Sequence, residues 1–154
     1  METNYMEIRM KPIVTWVVLA NARFAKVVAH RGPGKGLAPV RGQTWNSPEA
    51  NAPKDKAGVG HSIAGPGMAA VEQTDPQDIS DARFAKTVID QVAKAHVEKR
   101  FDRLILIAGP RILGLLREIL DTSLRAVLLG EMPKELSNQP LSAVEIHLGE
   151  LIAI

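Results

Sequence analysis

The chain reads as an α/β protein: one domain on a mixed β-sheet, an N-terminal hairpin joined to a parallel βαβ portion, with helices on its faces. Three observations predict this. Residues 12–30, PIVTWVVLANARFAKVVAH, are two β-rich runs about a short break. Residues 104–108, LILIA, form a continuous apolar run that meets Gly109-Pro110 at once, the pattern of a buried parallel strand entering a helix. Other segments carry apolar residues at helical spacing. With 154 residues and 45% hydrophobic content, the chain is long enough for one self-burying core and short for two.

The first strand, within Ile13 to Ala20, is apolar on both faces and so belongs inside the sheet. Ala20-Asn21-Ala22 turns the chain, and the residues from Phe24 return antiparallel. From Arg31 to about Gln77 the composition changes, with eight of the 12 glycines and six of the 10 prolines, and a long loop is expected. A helix follows at about Pro76 to Lys99, capped by Asp75-Pro76 and Ser80-Asp81. Ile79, Phe84, Val88, Val92, Ala95 and Val97 form its apolar side, and Lys86, Asp90, Lys94 and Glu98 its solvated face. Asp102-Arg103 ahead of the LILIA strand is read as an ion pair or cap. Arg111 to Leu120 is the next helix, ended by Asp121-Thr122-Ser123. Leu124 to Glu131 is read as a strand, Pro133 to Leu136 as a turn or short helix, and Leu141 to Ile154 as a last amphipathic helix. The predicted order is ββ, loop, αβαβα. The word Ala-Arg-Phe-Ala-Lys occurs at 22–26 and again at 82–86, once beside a turn and once among helix formers, so the two copies are expected to differ in conformation.

The net charge of +2 is far below that of a dedicated nucleic-acid binder, but it is unevenly spread: Met1 to Ala70 has nine Lys/Arg against four Asp/Glu, and Val71 to Ile154 has ten against thirteen. A basic loop against a mildly acidic body is the expected arrangement. The count of zero cysteines removes disulfides, Cys-ligated zinc, iron–sulfur clusters and thiol nucleophiles. His30, His61, His96 and His147 show no metal-binding spacing, and neither a metal nor a cofactor is expected. The run from Ile13 to Ala20 is too short to span a bilayer, and no export signal is recognised, so a cytoplasmic protein without membrane insertion is expected.

Candidate sites follow from residue chemistry. Gly109, Pro110 and Arg111 occupy a strand-to-helix junction, where free amides and the helix dipole favour an anionic ligand; the alternative is a tight turn with a solvated Arg111. Gly32-Pro33-Gly34-Lys35-Gly36 offers backbone amides and Lys35 to a phosphate, or is simply a flexible loop. Trp45, with Arg41 nearby, can stack on a base or anchor the loop to the body. His61-Ser62 with Asp75 and Asp78 lacks a nucleophile elbow and reads as loop polarity. No residue is assigned a catalytic role.

The segments TWVVLANARFAKVV, DARFAKTVIDQVAKA, FDRLILIAGPRILGLLREIL and LRAVLLGEMPKELSNQPLSAVE, in this order, resemble the bacterial host-attachment protein family. The family is named for a phenotype, attachment of bacteria to host cells, so the resemblance implies no reaction. More distantly, the family is similar to the middle domain of archaeal and eukaryotic peptide-release factors, which implies an RNase H-like mixed sheet. That domain carries a Gly-Gly-Gln loop; the nearest tripeptide here is Arg41-Gly42-Gln43, which lacks the first glycine and lies far ahead of its helix. Lys35, Arg41, Gln43 and Trp45 are accordingly taken as loop contacts to RNA or the ribosome. Three functions are weighed: a non-catalytic binding or regulatory module with RNA or ribosome contacts, an attachment factor at the cell envelope, and a hydrolase or nuclease. The last needs carboxylates on strands that are nearly free of them.

Overall fold

The structure, a computed structural model, describes residues 12–48 and 75–154. Five strands, β1 (Thr15–Ala20), β2 (Phe24–His30), β3 (Leu37–Asn46), β4 (Arg103–Ala108) and β5 (Leu128–Met132), form one mixed sheet in the order β3-β2-β1-β4-β5. The helices are α1 (Pro76–Val97), α2 (Pro110–Glu118), α3 (Thr122–Val127) and α4 (Leu141–Leu148).

β1 is central because its sequence is apolar on both faces: all six of its residues are buried. It pairs antiparallel with β2 and parallel with β4, as the hairpin and βαβ patterns predict. Its alternation assigns the two layers. Trp16, Val18 and Ala20 face a cluster completed by α1, α2 and Leu124 of α3, whereas Val17 and Leu19 face Val144 and Leu148 of α4. Trp16 also stacks on Phe101 at 4.8 Å, with the Arg100 guanidinium 5.2 Å from its ring centre.

Helix α1 begins where its cap predicts, with the Asp75 carboxylate accepting the Gln77 N–H at 2.8 Å. Its buried stripe is Asp81, Phe84, Ala85, Val88, Ile89, Val92 and Ala95. Ile79 and Val97, read as part of that stripe, project to solvent, because they fall in phase with the polar face. The repeated pentapeptide is turn and strand in its first copy and helix in its second.

Three expectations need correction. Leu37–Asn46, inside the stretch read as loop, is the edge strand β3. Pro39 hides it in the sequence, yet an edge strand tolerates a missing donor. Its register also shifts, from Val28↔Pro39 to Lys26↔Thr44, and the bulge contains Gly42 at φ 79°. Second, Asp121 starts a helix instead of only ending one: its carboxylate accepts the Leu124 N–H at 2.7 Å, α3 follows, and the last strand begins at Leu128. Arg125 fills the gap between α2 and α3 by donating to the carbonyls of Leu120 and Arg117. Third, the last helix stops at Leu148, with Gly149 as its C-cap, and Ile146 points to solvent. The rest of the Gly/Pro-rich stretch, with His61 and Ser62, lies outside the described residues.

Candidate functional site

The C-terminal ends of β1, β4 and β5 lie at one edge of the sheet. There β4 leads into α2 on one face, while β5 leads towards α4 on the other, so the chain parts and leaves a crevice, the place where open α/β sheets bind ligands. Its volume is about 420 Å³, and Asn21, Arg23, Gly109, Pro110, Arg111 and Glu135 contribute to its walls. Asn21 organises one wall. Its side-chain oxygen accepts the amides of Arg23 (2.7 Å) and Phe24 (2.9 Å), and its amide group donates to the Ser137 hydroxyl at 2.9 Å. Ser137, itself buried, donates through both its hydroxyl and its backbone N–H to the Glu135 carboxylate. The β1–β2 turn is thus tied to the segment after β5.

Gly109 and Pro110 make the tight strand-to-helix junction, with Gly109 as N-cap and Pro110 in the first turn of α2. Arg111 is half exposed to water but not free. Its guanidinium bridges two carboxylates of α1, donating to Asp81 and to Asp78. Asp81 is buried and also receives the Gln77 side-chain amide at 2.7 Å. The hydrogen bonds it donates to Asp78 and then to Asp81 hold the Arg111 guanidinium above its ordinary pKa range. One cation against two anions leaves this trio net negative, so a ligand anion at the start of α2 must compete with carboxylates already in place.

The residues singled out in the Gly-rich stretch are separated by the structure. Arg41 is exposed on β3, Gln43 is buried on it, and Trp45 is half-buried against the α1-side cluster, anchoring the edge strand. The Gln43 side-chain oxygen finds no hydrogen-bond partner among the described residues. Lys35 lies at the opposite edge, in the β2–β3 turn. That turn borders a second, larger cleft of about 520 Å³, which Thr15, His30, Arg31, Lys35 and Arg103 help to line. Thr15, His30 and Arg103 escaped sequence reading because they are 88 residues apart at the extremes and meet only through the β2-β1-β4 register.

Charge follows the same division. Residues 12–48, which form β1 to β3, contain five Lys/Arg and no Asp or Glu, whereas residues 75–154 contain ten and twelve. Arg23, Arg31, Lys35 and Arg41 are exposed. Among the described residues, no three His, Asp or Glu side chains come together as a metal site, and no helix is long and apolar enough to cross a membrane.

These features define an α/β protein with a five-stranded mixed sheet, helices on both faces and a basic antiparallel half. The chain belongs to the family described as protein required for attachment to host cells, whose pattern matches residues 16–148, from β1 to the end of α4. A solved structure described as "Archaeal protein" is similar over 98% of this chain, with a TM-score of 0.56 and 12% identity, a likeness of fold alone. The chain spans 38% of that longer protein. Comparison with curated proteins finds no match.

Proposed function

We propose that the protein is a non-catalytic binding module of the host-attachment family that acts in the cytoplasm on RNA or the ribosome. The observation that carries this reading is the acid-free antiparallel half: five Lys/Arg and no carboxylate over residues 12–48, with Arg41 on the edge strand and Arg23 beside the crevice. Such a surface attracts phosphate backbones without needing a high total charge, because the field at short range depends on local charge. Trp45 supports it as a rigid apolar anchor beneath the edge strand. The distant resemblance to the release-factor middle domain favours the ribosome over other polyanions.

Gradient sedimentation of lysate, with the protein tracked by antibody at low and moderate salt, tests this. Salt-sensitive co-migration with ribosomal particles is expected. Migration only as free protein overturns the reading, and fractionation outside the cytoplasm favours an envelope attachment factor instead.

A further inference from the structure

The cleft beside the β2–β3 turn has features that RNA contact does not require. We propose that it binds a small phosphate monoester carrying an apolar or aromatic body, with the phosphate held by Arg31, Lys35 and Arg103. His30, Thr15 and Arg103 are register partners on three adjacent strands, so they form one row across the sheet, about 10 Å from the first strand to the third. Thr15 and His30 are more than nine-tenths buried and make a polar floor. Among the described residues no Asp or Glu lines the cleft, and their ion pairs use Lys86, Arg111 and Arg117, none of them a cleft cation. Three cations with no ion-pair partner among the described residues suit a monoester dianion better than a carboxylate monoanion.

The rest of the cleft selects for the body of the ligand. Ile13, Pro33 and Ile152 provide apolar wall, and about 520 Å³ is the size of pocket that encloses a nucleotide-sized molecule. The turn is also held in place before any ligand arrives. Gly32, Gly34 and Gly36 take positive φ values of 124°, 81° and 65°, the Gly34 N–H donates to the main-chain oxygen of Ile154, which also lies 3.5 Å from His30 Nε2, and the Leu37 N–H donates to the Glu145 carboxylate at 2.8 Å. Arg31 and Lys35 thus project from a pinned backbone, which reduces the ordering cost of binding.

The full chain would be titrated with adenosine monophosphate, and separately with inorganic phosphate, by calorimetry and by amide chemical shifts. Saturable sub-millimolar binding of the nucleotide is expected, with inorganic phosphate about tenfold weaker or more because it lacks the apolar body. Arg103→Ala and Lys35→Ala should each weaken nucleotide binding about tenfold, with shifts confined to 13–15, 30–35, 103 and 152–153 in the unmodified chain. Because Arg103 lies outside the acid-free half, Arg103→Ala should leave RNA affinity unchanged, whereas Arg41→Ala should do the reverse. Failure of RNA binding alone therefore leaves this proposal standing. Absence of saturable nucleotide binding overturns it, as does equal affinity for inorganic phosphate or full binding by an Arg103→Ala protein that melts like the unmodified one.

Discussion

Replacing Arg111 with alanine removes the cation that bridges α2 to the start of α1. The Asp81 side chain is 1% exposed and the Arg111 side chain 50%. Breaking a fully buried pair by removing one partner costs about 3–5 kcal/mol, because the other charge stays desolvated. Here water reaches the junction from the Arg111 side, and Gln77 still donates to Asp81, so the expected loss is about 2–3 kcal/mol. For a chain of this size that lowers Tm by roughly 4–12 °C. Thermal and urea melts followed by circular dichroism would measure it. A second substitution, Asp81→Ala, should recover part of the loss, since it removes the stranded carboxylate. The hydrogen bonds raise the Arg111 pKa, so its contribution is complete at every pH below the ordinary guanidinium range and is lost only as pH climbs through and beyond it. The gap between the two proteins should therefore stay flat from about pH 7 to about pH 10. A loss below about 0.5 kcal/mol would show a solvated surface contact and refute the reasoning.

Gly36→Ala places a Cβ 2.9 Å from the Glu145 carboxylate in a residue at φ 65°, so it should destabilise by about 1–3 kcal/mol in urea melts. Gly34→Ala, at φ 81° but in open space, should cost only the backbone strain of about 1 kcal/mol, and equal losses in both would remove the role given to Glu145. Leu106→Ala, at a fully buried position of β4 on the α1 side, should cost about 2–5 kcal/mol by the same assay. Ile146→Lys, on the exposed side of α4, should change Tm by less than about 2 °C; a large drop would mean that this face is covered.

The central sheet was legible because β1 and β4 state their burial locally: TWVVLA and LILIA are apolar on both faces, and Gly109-Pro110 marks the turn into α2. β3 was not legible, since Pro39, Gly42 and a register shift erase its alternation, and its edge position supplies the tolerance that sequence reading lacks. Asp121 is an N-cap residue type, but the run LRAVLLGE after it reads as a strand and hides the short helix α3, which the bond to Leu124 shows. Gly109 to Arg111 lie at the strand-to-helix junction that the sequence marks and line a crevice there, but the engagement of Arg111 depends on Asp78 and Asp81, about thirty residues away, which local pattern does not reveal. The second cleft was least legible of all, because its floor is assembled from three strands.

The acid-free half as a polyanion surface carries the functional reading, and salt-dependent binding of the purified protein to fluorescently labelled single-stranded RNA tests it most directly. Each phosphate contact contributes about −0.7 to the slope of log affinity against log salt. If Arg23 and Arg41 each make one, the double variant Arg23→Ala/Arg41→Ala should flatten the slope by roughly 1.4 while melting like the unmodified chain. No measurable RNA binding at low salt, or an unchanged slope in the double variant, would contradict the account.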